Sequence, residues 1–359
     1  MKVYHKRKKI IFFKLVKTNN ISSMKRKKTF VRVFAFINFL LLMLQLITMG
    51  SISSIILIPI LSLVVPLLCF INILFFIFWL IRFQWPFLLF VLTFAIGFKE
   101  WRLLYQFKDN GINTSKGLSI MSYNVRSFNR FKWLDISNTP KEIATFITNE
   151  SPDIISFQEY AIDLAPIFKD YPYLFFTPYT KNGKVGSCII SKLPLYNPQP
   201  VLFTGSENGG MHVDFLYKKD TLRLYNIHFE SLGFNLKDTL LDSHYSKKIR
   251  SKINEVFTIQ QSQILQVKNI MNGSVFPEII CTDLNNNAFS ASYRALSKGM
   301  KDSFLDKGDG FGATYEFPYF PLRIDYILTD PKMKIISFEY KMTLLQNLTN
   351  MILRKRIQN

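Results

Sequence analysis

Seven polar residues stand inside or at the ends of short apolar runs, and each is of a type that can hold a metal ion or a phosphate. Asn124 follows Leu118–Tyr123, and Glu159 closes Asp153–Glu159 (DIISFQE). Asn226 and His228 lie in Leu222–Phe229 (LRLYNIHF), and Asp283 and Asn285 finish Glu278–Asn285 (EIICTDLN). Asp325 sits between aliphatic residues in Arg323–Leu328 (RIDYIL). A carboxylate placed in apolar surroundings is costly unless it is paired or bound to a cation. Several converging at one sheet edge therefore point to a cation, and a donor set of Glu, Asp and Asn oxygens suits a hard ion such as Mg²⁺ rather than zinc. Singly, each residue has a plainer explanation. Asn124 and Asn285 fit turns, His228 a satisfied core histidine, Glu159 a surface charge, Asp283 a helix cap and Asp325 an ion pair with Arg323. The ordered set carries the argument.

The elements that must position these residues are legible as β-like runs alternating with amphipathic helices. Leu118–Asn124, Asp153–Glu159, Ser187–Ser191, Met211–Tyr217, Leu222–Phe229, Glu278–Asp283 and Arg323–Thr329 are rich in β-branched and aromatic residues and bounded by turn formers. Thr139-Pro140-Lys141-Glu142 reads as a capping box with Pro at the first helical position, followed by Ile143, Phe146 and Ile147 on one face. Ser246–Met271 carries Ile249, Ile253, Val256, Ile264 and Val267 at near-helical spacing, with Gly273 as a stop. Many strands and fewer helices predict two packed sheets covered by helices, an α/β class.

The first third of the chain is different. Between Val31 and Phe98 only Arg32 and Arg82 are charged. Val31–Met49 and Ile55–Ile81 are each long enough to cross a bilayer, which takes about 20 apolar residues. Phe83–Phe98 is shorter, and counts as a third span if Trp101 lies in the interface with Lys99 and Arg102 reaching outward. Lys and Arg cluster before the first span, which places the N-terminus in the cytoplasm. Three crossings then put the C-terminal domain outside the cytoplasm of an inner or plasma membrane. Residues 1–110 hold 16 Lys and Arg against Glu100 and Asp109, so most of the net charge of +20 belongs to this region. The remaining 29 basic and 23 acidic residues give little reason to expect an electrostatic nucleic-acid surface. The expected organisation is a basic N-terminus (1–30), a membrane region (31–98), a linker (99–117), a catalytic domain (118–340) and an atypical tail (341–359). Cys69, Cys188 and Cys281 have neither zinc-site nor disulfide spacing and read as buried thiols.

The ordered motifs resemble those of the endonuclease/exonuclease/phosphatase superfamily, which shares the fold of pancreatic deoxyribonuclease. The matching stretches are Met121–Arg126 (MSYNVR), Pro152–Glu159 (PDIISFQE), Gly186–Lys192 (GSCIISK), Tyr225–Phe229 (YNIHF), Thr282–Asn285 (TDLN) and Arg323–Leu328 (RIDYIL), with Gly312–Tyr315 (GATY) and Asp302 in keeping. A short multi-span N-terminus is similar to one membrane-bound bacterial branch. The resemblance implies a four-layer α/β sandwich of two mixed sheets flanked by helices. It also implies a Mg²⁺-dependent phosphodiesterase, with Mn²⁺ as an alternative ion. Glu159 would be the principal metal ligand with Asn124 beside it. Asp283 and Asn285 would position the phosphate and attacking water, with Asn226 also on the phosphate. His228 would stabilise phosphoryl oxygens or protonate the leaving group, and Asp325 would orient a further histidine acting as base.

One departure stands out. The family ends in a Ser-Asp-His triplet, and the tail Leu344–Arg356 (LLQNLTNMILRKR) has no histidine. General-base assistance is worth roughly 10²–10⁴-fold, so turnover at least about 100-fold below that of a chain with the triplet is expected. The substrate is read as a phosphodiester, in nucleic acid first. Alternative readings are a sphingomyelinase-like lipid phosphodiesterase using the aromatic loop Tyr315–Pro321, and a catalytically weakened membrane-tethered binding protein.

Overall fold

The computed structural model describes residues 28–48, 58–107, 117–132, 138–233, 246–317, 320–341 and 355–358. The chain divides into two units. One comprises residues 1–51 and 67–98, and the other 52–66 and 99–359.

The helices α1 (Lys28–Thr48) and α2 (Ile58–Ile81), which belong to the first unit apart from residues 58–66, are long and apolar enough to cross a membrane. They are joined by a buried polar seam. Asn38 donates to Asn72 Oδ1 (3.3 Å), Asn72 donates to Gln45 Oε1 (2.6 Å), and the Trp79 indole donates to Asn38 Oδ1 (3.2 Å). Buried amides are costly without partners, and bonds between the two helices supply them. The third apolar stretch forms only a ten-residue helix, α3 (Phe87–Ile96), after a break at residues 82–86. At 1.5 Å per residue this is about 15 Å, half the hydrocarbon thickness. By length, then, two of the three expected spans are present among the described residues.

Within the second unit, Arg102 of α4 (Phe98–Leu104) donates to the Leu305 carbonyl (2.7 Å), and Gln106 pairs with Gly310 through both backbone groups. The region read as a linker thus docks, in part, on the C-terminal domain. That domain holds two six-stranded sheets. The first runs β13 (Lys334–Ile335), β14 (Lys355–Gln358), β1 (Leu118–Asn124), β2 (Ile154–Ala161), β4 (Val185–Ser191), β3 (Tyr173–Pro178). The second runs β5 (Leu195–Leu202), β6 (Gly209–Tyr217), β7 (Asp220–His228), β8 (Glu278–Asp283), β12 (Asp325–Thr329), β9 (Lys301–Asp302). A ribbon of β10 (Tyr315–Phe317) and β11 (Phe320–Leu322) stands apart. The stretch read as an atypical tail therefore supplies a strand, residues 355–358, antiparallel to β1.

Strand alternation builds the layers. Leu118, Ile120, Ile154 and Ile189 meet Val213, Leu224, Ile279, Cys281 and Ile327 between the sheets. Met121, Tyr123, Ile155 and Phe157 point the other way, onto Ile143 and Ile147 of α5 (Thr139–Glu150). Tyr225, Ile227, Ile280, Tyr326 and Leu328 likewise meet Ile264, Val267 and Met271 of α6 (Ser246–Asn272), and Tyr293 and Leu296 of α7 (Ala291–Ser297). Full burial of one such side chain is worth about 1.5–3 kcal/mol, so three apolar layers fix both sheets. The result is the expected four-layer α/β sandwich. Cys69, Cys188 and Cys281 are buried free thiols.

Two local details differ from expectation. The cap of α5 is Asn138, whose side chain accepts from the Lys141 backbone N–H (3.3 Å), not Thr139. Asn ranks at least with Thr as a helix cap, and the shift leaves Pro140 in the first turn, where its missing N–H costs nothing. Strand β5 was not foreseen, since Pro198 and Pro200 argue against a strand. It lies at the sheet edge, where Pro is tolerated.

Candidate active site

Parallel pairing brings four of the seven residues to one end of the domain. Asn124 ends β1 and Glu159 lies one residue past its level on β2, where Asn124 pairs with Gln158. His228 and Asp283 are paired at the ends of β7 and β8. Asp325 begins β12, antiparallel to β8 and directly opposite Asp283. Two adjacent parallel pairs, one in each sheet, thus end beside each other.

Backbone irregularities aim the side chains. The β2–β4 register shifts between Phe157 and Tyr160, and Glu159 within that bulge has φ 49°. A bulge re-aims a side chain that regular alternation would send elsewhere. Glu159 is further held by its own N–H, which donates to the Tyr179 hydroxyl (3.1 Å). After Asn124 the chain makes a left-handed turn through Arg126, Ser127, Phe128 and Asn129, with φ from 41° to 61°. Asn285 is left-handed too, at φ 52°. Each such residue costs of order 1–2 kcal/mol, and strain of this kind persists where surrounding contacts over-determine it.

The side chains form one polar cluster. The Asn124 amide donates to Glu159 Oε1 (2.9 Å) and to Asp283 Oδ2 (2.9 Å), while its Oδ1 accepts from the Arg126 N–H (2.9 Å). His228 Nε2 lies 3.7 Å from Glu159 Oε1 and 3.7 Å from Asp283 Oδ2. Asn285 places its amide nitrogen 3.0 Å from His228 Nε2, and its backbone N–H donates to Asp283 Oδ1 (2.9 Å). Thr314 Oγ1 accepts from the backbone of Ile324 (2.9 Å) and Asp325 (3.2 Å).

Burial pushes the Asp283 carboxyl up, and Glu159 adds to this against the opposing pull of His228, Asn124 and the Asn285 N–H. Burial, with Asp283 next, drives Asp325 well above the usual carboxylate range, although Thr314 and the charge of Arg126 act the other way. Asp325 Oδ2 and His228 Nδ1 are buried without a hydrogen-bond partner among the described residues. Like charges facing each other in low dielectric either share a proton or accept a cation.

No three His, Cys, Asp or Glu side chains among the described residues form a cage by themselves. The cluster is instead a mixed carboxylate and amide set, which fits an ion that keeps several waters, as Mg²⁺ does.

Two expectations need correction. Asn226 does not reach the cluster as a phosphate ligand. Its amide donates to the carbonyls of Phe157 (2.8 Å) and Cys188 (3.0 Å), and its Oδ1 accepts from Gln158 Nε2 (2.8 Å). Fully buried, it ties the two sheets together with its hydrogen-bonding capacity largely spent. Nor does Arg323 pair with Asp325. It turns onto Asp302 (Nη1 to Oδ2, 2.7 Å) and packs its guanidinium over Phe304 and Tyr326. The part of the tail in which the Ser-Asp-His triplet is missing, residues 342–354, lies outside the described residues. Tyr179 was missed because its partners lie on other strands and no local pattern marks it. Thr314 lay within a recognised motif, but its role needed the structure.

Comparisons with known proteins agree with this architecture. A structure from Bacteroides vulgatus described as endonuclease/exonuclease/phosphatase superposes at TM-score 0.53 and 14% identity, covering 68% of this chain and 99% of that one. A Bacteroides thetaiotaomicron protein of the same description superposes at 0.51 and 13%, covering 69% and 100%. TDP2 from D. rerio, complexed with single strand DNA product, superposes at 0.51 and 15%, covering 68% and 100%. Identities this low establish the fold alone. No curated protein matches the chain. The model of the Endonuclease/Exonuclease/phosphatase family matches residues 121–340, well over half of the sequence, and the chain belongs to that family of hydrolases.

Proposed function

We propose that this chain is a membrane-anchored, Mg²⁺-dependent phosphodiesterase acting first on nucleic-acid phosphodiesters, with its centre at Asn124, Glu159, His228, Asp283, Asn285 and Asp325. The observation that carries the reading is the facing pair Asp283 and Asp325, buried and raised, with Asn124 linking Asp283 to Glu159. Such a constellation is expensive for a structural role and suited to a hard cation. Glu159 and Asn124 would hold the ion, which when bound polarises a phosphate and eases ionisation of water. Asp283 accepts a proton from the attacking water, which its raised carboxyl favours. Asn285 orients His228, which once protonated would stabilise the phosphoryl oxygens or protonate the leaving group. Asp325 lies opposite Asp283, whose charge helps to hold the Asp325 carboxyl in its neutral form. Substrate kind is supported by the DNA product in the D. rerio TDP2 structure, which shares the fold. The two apolar helices support the anchor, and a domain outside the cytoplasm requires in addition that the shorter apolar segment carrying α3 cross the membrane behind the basic N-terminus.

The test is a substrate screen on the purified full chain in detergent, with Mg²⁺, Mn²⁺ or EDTA. Single-stranded DNA, bis(p-nitrophenyl) phosphate and sphingomyelin vesicles serve as substrates. Mg²⁺-dependent cleavage of the first two is expected. Cleavage of sphingomyelin alone would replace nucleic acid with lipid, and metal binding without turnover on any of them would leave a binding protein.

A further inference from the structure

Two glutamines on one face of α6 are buried where a helix facing a core should be apolar. Gln260 is fully buried and Gln263 nearly so. A buried primary amide is costly unless its two N–H donors and its carbonyl are satisfied, so the partners reveal what the residue holds. Gln260 Nε2 donates to the carbonyls of Glu230 (2.8 Å) and Leu284 (3.1 Å). Its Oε1 accepts from Asn286 Nδ2 (2.8 Å) and Ser292 Oγ (2.9 Å). Gln263 Oε1 accepts from the Glu230 N–H (3.0 Å).

These partners are not scattered. Glu230 is two residues past His228, and both of its backbone groups are gripped from α6. Leu284 and Asn286 flank Asn285, which is held at φ 52°. One side chain, Gln260, therefore bonds to both loops whose residues meet at the 3.0 Å contact between Asn285 and His228. Its other two bonds leave no capacity for solvent or substrate.

We propose that Gln260, assisted by Gln263, is a positioning residue that fixes the spacing of His228 and Asn285 by clamping the two loops to α6. The inference rests on the reading of the site given above, but its physical content, the clamp, can be measured without activity. Displacing a reacting group by about 1 Å can cost on the order of 10²-fold in rate, so loss of the clamp acts on kcat and not on substrate affinity.

The experiment compares the full chain with Gln260→Leu, Gln263→Ala and the control Gln266→Ala. Gln266 is on the same helix, and its amide donates to the Leu202 carbonyl (2.9 Å), away from the two loops. Gln260→Leu should lower kcat by about 10- to 100-fold with KM within about twofold. Hydrogen exchange in segments 228–231 and 284–287 should accelerate. Gln263→Ala should accelerate exchange at the Glu230 amide, and Gln266→Ala should change neither quantity. Unchanged exchange in both segments with unchanged kcat in Gln260→Leu, or an equal fall of kcat in Gln266→Ala, overturns the clamp. If Gln260→Leu does not fold, unchanged exchange at Glu230 in Gln263→Ala overturns it. Faster exchange there upholds it. If Glu159→Ala retains full turnover, the reading of the site falls, while the exchange data still decide the clamp.

Discussion

Asp302 and Asp325 are carboxylates of similar burial, 5% and 3% exposed, and the fold treats them in opposite ways. Asp302 Oδ2 receives the Tyr293 hydroxyl (2.6 Å) and Arg323 (2.7 Å), and its Oδ1 receives the Phe304 N–H (2.9 Å). Asp325 faces a second carboxylate, Asp283, and leaves one oxygen without a hydrogen-bond partner among the described residues. Arg323 is only two residues from Asp325, yet its guanidinium is committed to Asp302 and to aromatic faces. The difference separates two uses of buried charge. One is neutralised from within the fold and holds it together. The other has no cation in salt-bridge contact among the described residues, a state that favours uptake of a proton or a metal ion over a structural ion pair.

The largest effect should come from Glu159→Ala. If this end of the domain is the catalytic one, Mg²⁺-dependent cleavage should fall by at least about 10³-fold, equivalent to several kcal/mol of lost charge stabilisation. Cooperative unfolding should be kept. Turnover equal to that of the parent would place the centre elsewhere. At the structural end, Asp302→Ala should destabilise the domain by about 3–5 kcal/mol, because Arg323 is left buried and unpaired. Chemical denaturation measures this, and a loss below about 1 kcal/mol would mean that the pair is not what distinguishes the two ends.

Asp325→Asn should do the reverse. Its carboxyl is raised, so the native protein binds an extra proton between the ordinary and raised values and loses stability as pH rises through that window. In metal-free protein the Asn variant should melt a few degrees higher at pH 7, about 1 kcal/mol for a domain of this size. The gain should vanish below about pH 4, the ordinary carboxylate range. A lower melting temperature at pH 7 would show that Asp325 is paired like Asp302. The smallest perturbation, a reporter fused after Asn110, leaves both ends intact and reads which side of the membrane they occupy. External activity is expected if α3 crosses as well as the two longer helices. A cytoplasmic signal would show that the ten-residue α3 does not cross.

Much of this was legible in the sequence because it is local. Short apolar runs bounded by turn formers gave β1 and β8 to the residue, since a strand covered on both faces reads as a near-continuous apolar run. The apolar lengths of α1 and α2 gave the candidate spans, because bilayer thickness sets a minimum run. The polar residues in and after those strands named the side chains that the fold brings to one end of the domain, with the exception of Asn226. Its type and position suited a ligand equally well, and only the packing of sheet on sheet shows that its amide is already engaged.

What the tertiary structure alone decided is partner choice. Whether Arg323 meets Asp325 or Asp302 depends on strand order, not on the two-residue spacing. The bulge that aims Glu159, the Tyr179 hydroxyl beneath it and the Gln260 bonds on both sides of Asn285 join residues distant in the chain. Residue type sets what a group can do, and the energetic cost of burying it without a partner is decided only when other strands and helices arrive beside it.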